Sequence, residues 1–214
     1  MARFKRLKTR SAILGKQRRL LILSPGWLLL SWPRSFRVAY LATLNQYFDC
    51  VAGAVIENGG EVLKFIGDAV LAIFPIADRN NPHPQACVNA LSAVQDTRNA
   101  IEDLNRERSA LSEPPLRYGT ALHRGDITYG NVGTMKRLDF TVIGTAVNQV
   151  SRIESLCKEL GVPVLMSSAF AKSVSSGLVN MGTHSLRGIR GEQEIFTLQD
   201  LLGISRVDAA RFRS

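Results

Sequence analysis

Apolar residues recur at Leu41, Leu44, Tyr47, Phe48, Val51, Val55 and Ile56, the spacing of one helix face, which predicts a helix from Val38 to Asn58. Asn58-Gly59-Gly60 stops it. Glu61 to Ile66 and Ala69 to Phe74 then read as two strands of a hairpin turning at Gly67-Asp68. Turn residues crowd Asp78 to Pro84, and a second amphipathic helix follows from Ala86 to about Leu111, with Val88, Leu91, Val94, Ile101 and Leu104 on one side. Pro114-Pro115 closes it. Strand patterns come next at Leu116 to His123 and Ile127 to Val132, joined at Arg124-Gly125-Asp126, and again at Phe140 to Ile143. A third helix, Ala146 to Leu160, ends at Gly161, Val162 to Met166 returns to strand, and an alternating pair brackets Gly188 to Gly191. This order predicts an α/β sandwich, with helices packed on one mostly antiparallel sheet. No internal repeat or low-complexity tract interrupts it.

Composition narrows the class. At 214 residues with 45% hydrophobic and 21% charged positions, the chain suits one globular domain with a proper core. The three cysteines, Cys50, Cys87 and Cys157, are far apart and odd in number, which gives neither a disulfide framework nor a metal spacing and points to a cytoplasmic setting. The formal charge of +9 is confined to one end. Ten of the 27 Lys and Arg residues lie between Met1 and Arg37, where there is no acid, leaving 17 bases against 18 acids beyond it. A basic stretch of this kind can rest on anionic lipid or bind nucleic acid without sequence preference. Its apolar run, Leu20 to Leu30, is too short to span a bilayer and is broken by Pro25-Gly26. A strand plus a solvated tail is the preferred reading, above a membrane contact or a signal segment. No specific nucleic-acid partner is expected.

Three clusters carry chemistry. Lys64-Phe65-Ile66-Gly67-Asp68 puts a carboxylate at a glycine-containing hairpin tip, where it is either a plain turn residue or a ligand for a hard cation. Asn148 and Arg152 stand four apart at the start of a predicted helix, which stacks an amide and a guanidinium on one face. His123-Arg124-Gly125-Asp126 to Gly133 is a glycine-rich strand segment in which His123 is expected to be structural.

Taken in order, these stretches resemble the catalytic domain of class III nucleotide cyclases. The resemblance rests on Leu44-Asn45-Gln46-Tyr47-Phe48, Gly59-Gly60 with Lys64 to Asp68, and the run from His123 to Gly133. Asp139-Phe140-Thr141-Val142-Ile143-Gly144 and the helix with Val147, Asn148 and Arg152 complete it. It implies a ferredoxin-like cyclase fold and an adenylate cyclase that converts ATP to cyclic AMP and pyrophosphate. It also implies a nucleotide site at the interface of a head-to-tail homodimer, or of a heterodimer with another cyclase domain, and a pair of Mg²⁺ or Mn²⁺ ions. By the same resemblance Asp68 is a metal ligand, Asn148 and Arg152 are catalytic, and Lys64 and Thr141 select the base. A Lys donates to purine N1 and a hydroxyl accepts from the amine of adenine, which favours ATP. The expected organisation is a basic leader over 1–40, a catalytic domain over 41–200 and a tail over 201–214.

The family pattern breaks before Leu41. The first metal aspartate belongs to a D-x-x-G-F run on the first strand, yet no Asp or Glu precedes Asp49. Leu21 to Trp27 is the candidate replacement for that strand, and Ser24 is a poor substitute for a carboxylate. A leader translated from a shifted reading frame, or a cyclase-fold domain that binds nucleotide or dimerises without turnover, would each produce this pattern.

Overall fold

In the computed structural model the chain is described over residues 14–25, 37–76, 80, 84–134, 137–174 and 177–202. Its elements run β1 (Leu14–Pro25), α1 (Arg37–Glu57), β2 (Glu61–Ile66), β3 (Ala69–Pro75), α2 (Gln85–Ala110), β4 (Thr120–Thr134), β5 (Arg137–Ile143), α3 (Thr145–Leu160), β6 (Val164–Ser167), α4 (Ser168–Ala171), β7 (Leu178–Ser185) and β8 (Glu192–Leu198). The strands form one sheet in the order β2-β3-β1-β4-β6-β8-β7, with β5 paired to β4. The β4–β6 pairing is parallel and the other described pairings are antiparallel. A parallel pair needs a crossover, and α3 lies in that connection.

The sheet is buried on both faces. On one, α3 packs Ala146, Val150, Ile153 and Cys157 against Leu71, Ile73, Ala121, Leu165 and Ile195. On the other, α2 sets Cys87, Ala90, Ala93 and Val94 against Ala72, Phe74, Leu122 and Met166, while Tyr47 and Val51 of α1 meet Val70, Ile101 and Tyr118. This explains why β3 reads as an unbroken apolar run: Val70 to Phe74 alternate between two cores, and none is more than 1% exposed. The buried Arg108 near the end of α2 fastens these layers. It donates to the Pro114 carbonyl at 2.9 Å and to Thr43 Oγ1 of α1 at 3.3 Å, and pairs with Glu113 at 2.8 Å.

The strand expected in the basic leader is present, since Leu14–Pro25 lies in the sheet between β3 and β4, and α1 begins at Arg37, one residue before the expected Val38. Three expectations change. Arg124-Gly125-Asp126 is no turn: β4 runs straight through it, with Leu20, Arg19 and Arg18 as its partners on β1. Gly125 is needed there for room, since a Cβ would sit 2.7 Å from both Ala146 Cβ and His123 Nε2. Val88 is half exposed, while Val94 and Ile101 are buried as expected, together with the small residues Cys87, Ala90, Ala93 and Thr97. β5 begins at Arg137, three residues before the apolar pattern starts. Residues 1–13 and 26–36, most of the turn region before Pro84, and the tail from Ser205 lie outside the described residues.

Candidate functional site

The β2–β3 turn is made by Gly67, whose φ of 63° lies in the left-handed region that glycine adopts without cost. It delivers Asp68 to the start of β3. Asp68 is half-buried, and burial raises its carboxyl above the ordinary range, offset in part by a backbone hydrogen bond. Its charge reaches Tyr40 in the first turn of α1, whose phenol is raised by burial first and by Asp68 second. A desolvated carboxylate of this kind gains from a cation, which would relieve the cost of keeping it charged.

Lys64 faces the other way. Its Cα partner is Leu71, and opposed residues on antiparallel strands present their side chains to one face. Leu71 belongs to the core under α3, so Lys64 is on the α3 side of the sheet. The register shift between Val62 and Lys64 causes this. Val62 pairs with Ala72 and packs towards α1 and α2, and simple alternation would have sent Lys64 with it. The extra residue, Leu63, turns Lys64 to the opposite side.

Asn148 and Arg152 are exposed on α3, opposite its buried face of Ala146, Val150, Ile153 and Cys157. Four residues of helix separate them by about 6 Å along the axis, so an amide and a guanidinium project from successive turns. Gln149 fixes this end of α3 by donating to Gln193 Oε1 on β8 at 2.9 Å. The positive end of the helix dipole adds to the suitability of this surface for phosphate. Thr141 is half-buried in β5, opposite Gly130, and seven residues before Asn148. Lys64 and Thr141 come from strands separated in the sheet by β3, β1 and β4.

His123 is structural in its surroundings, 5% exposed, with Nδ1 2.8 Å from Ser167 Oγ. Ser167 Oγ also accepts from the Phe170 N–H, which ties His123 to the start of α4. Burial lowers the imidazole to about 4, so the ring is neutral near pH 7.

The structure thus sorts the sequence-derived candidates into two groups. Lys64, Asn148 and Arg152 belong to the α3 side, while Asp68 stands beside the start of α1. Two features were missed. Tyr40 could have been noticed as a polar aromatic seven residues before Tyr47, on the same helix face. The bulge at Leu63 leaves no mark in the hydrophobic pattern.

Among the described residues no three His, Cys, Asp or Glu side chains gather as a ligand set. Asp68 fits one hard cation whose remaining sites are filled by phosphate oxygens and water, which is how Mg²⁺ is commonly held. It does not by itself fit a pair. No helix among the described residues is long and apolar enough to cross a membrane.

Residues 33–200 match the family described as the adenylate and guanylate cyclase catalytic domain. An adenylate cyclase of Anabaena cylindrica is 38% identical over 136 residues, 62% of this chain and 26% of that protein. Adenylate cyclase 1 of Rhizobium meliloti (strain 1021) is 31% identical over 168 residues, 78% of this chain and 24% of that protein. The chain therefore spans about a quarter of the length of these relatives. The crystal structure of the adenylyl cyclase CyaB from P. aeruginosa superposes with a TM-score of 0.72 at 23% identity, covering 86% of this chain and 94% of that one. At that identity the likeness speaks for the fold.

Proposed function

The chain belongs to the adenylate and guanylate cyclase catalytic-domain family, and from that premise we propose that it acts on ATP, as an adenylate cyclase domain forming 3′,5′-cyclic AMP. In the reaction the ribose 3′ oxygen attacks the α-phosphorus, the bond to the β-phosphate oxygen breaks, and pyrophosphate leaves while the 3′ hydroxyl loses its proton. Arg152 binds phosphate oxygens and holds the charge that grows on them. Asn148, one turn earlier, orients the ribose, so that attacking and leaving oxygens lie in line. Lys64 donates to adenine N1, and Thr141 accepts from the exocyclic amine, a pattern guanine would present reversed. A divalent ion, Mg²⁺ or Mn²⁺, supplies charge neutralisation when bound, with Asp68 as its ligand from this chain.

The observation that carries this reading is the exposed Asn148–Arg152 pair on the same side of the sheet as Lys64. Asp68 stands apart from that set, beside Tyr40 and α1. A nucleotide that uses both groups draws them from two chains, which supports a site at the interface of a head-to-tail dimer. A cytoplasmic setting follows from the chemistry, since ATP is the substrate.

A second reading has its own observation: no acid precedes Asp49, so the first strand brings no carboxylate to the site. This favours a domain that binds nucleotide and pairs but turns over poorly. The two are separated by cyclic AMP formation from ATP with Mn²⁺ at several protein concentrations, beside an Asp68→Ala control. Activity that rises faster than linearly with protein and vanishes in the control supports the cyclase. A folded dimer with no product in either preparation supports the impaired domain.

A further inference from the structure

We propose that each nucleotide site built from copies of this chain takes a single divalent ion, held by Asp68 together with the phosphates of the nucleotide, and lacks the second ion of the family's pair. The inference rests on the nucleotide-binding reading above and adds to it how many ions the site holds.

Its basis is the register of β1. That strand occupies the sheet position beside β3, and its end runs along the residues that follow Asp68: Pro25 is opposite Ala69 and Ser24 opposite Val70. The strand end nearest the Asp68 turn is therefore built from Leu23, Ser24 and Pro25, none of which carries a carboxylate. The lack extends over the whole leader, since Asp49 is the first acid in the chain. Among the described residues, no group of three potential ligands forms elsewhere to compensate. Neutral hydroxyls are weak ligands for a dication compared with carboxylates, and two dications a few ångströms apart repel each other strongly. One carboxylate with a triphosphate can balance one ion. A second ion in that space needs further negative charge.

The test counts Mn²⁺ bound per bound nucleotide by electron paramagnetic resonance, using the full chain and the non-reactive analogue α,β-methylene-ATP. The unaltered chain is expected to hold one Mn²⁺ per nucleotide, with no magnetic coupling between ions. In a Ser24→Asp variant the count should rise to two, with the coupling expected of ions about 4 Å apart. Should that variant fail to fold, the count on the unaltered chain decides the proposal without it. Two coupled ions in the unaltered chain would overturn the proposal while leaving the nucleotide-binding reading intact. Failure of the folded chain to retain the analogue at all would overturn that reading instead.

Discussion

Acidification should weaken the fold through one residue, His123. In the folded chain its Nδ1 is hydrogen-bonded to Ser167 Oγ at 2.8 Å, and the ring lies in a buried site that lowers its protonation to about 4, against 6.5 for an ordinary histidine. Between these values the unfolded chain takes up a proton that the folded chain refuses. The unfolded state then binds more protons, so stability rises with pH across the window and falls as pH drops from 6.5 to 4. Above 6.5 both states are neutral at this residue and it contributes no pH dependence. At about 1.4 kcal/mol per pH unit, the full loss by pH 4 is about 3 kcal/mol. For a domain of this size that lowers a urea midpoint by about 1–2 M. The assay is urea unfolding at half-unit steps from pH 7.5 to 4, comparing the chain with His123→Gln. Other titrating groups are common to both, so the difference between the two curves isolates His123. The variant is expected to lose about 1 kcal/mol at pH 7 with its Ser167 bond and to show the flatter profile below 6.5. Parallel profiles would refute the argument, because they would mean that the ring charges freely in the folded state.

Arg152→Ala should reduce cyclic AMP formation by roughly 10²- to 10³-fold without moving the melting temperature, because the side chain is exposed and its loss falls on the transition state. Arg152→Lys, which keeps the charge but not the fork, should recover only part of the rate. Lys64→Glu should shift the ratio of ATP to GTP turnover towards GTP by about 10- to 100-fold, read from kcat/KM for each nucleotide. Gly125→Ala should cost about 1–3 kcal/mol in chemical denaturation, since its Cβ would meet Ala146 at 2.7 Å and force α3 away from β4. Phe74→Ala, which empties a site only 1% exposed, should cost about 3–5 kcal/mol by the same measurement.

The helices and the hairpin were legible because amphipathic spacing and glycine stops report on burial directly, as at Tyr47, Val51 and Val55 of α1. The errors fell where backbone geometry and residue type part company. Arg124-Gly125-Asp126 has the composition of a turn, yet its glycine answers to the close packing of α3 against β4, a tertiary contact with no local signal. At Lys64 the residue was visible in the sequence and its side of the sheet was not, since one bulged residue reverses every later side chain. Asn148 and Arg152 were easier, because a four-residue interval in a helix places both on one face whatever surrounds it.

The same distinction between backbone and side chain explains how the fold and the site come apart at the first strand. A central strand is held by ladder hydrogen bonds that any residue but proline can make, and by enough apolar character to sit between two layers. Leu20-Leu21-Ile22-Leu23 meets that requirement and pairs in register with both β3 and β4, and Pro25 falls at the strand's last position, where a missing N–H costs least. Many sequences can therefore fill the slot. A metal ligand has no such latitude: it needs a carboxylate at one register position, and a leucine-rich strand with a serine near its end completes the sheet without providing it. Selection by packing alone is permissive, and selection by ion chemistry is strict. A chain that satisfies the first can keep the sheet, the helices and the exposed Asn148–Arg152 pair while its first strand offers no carboxylate to the proposed metal site.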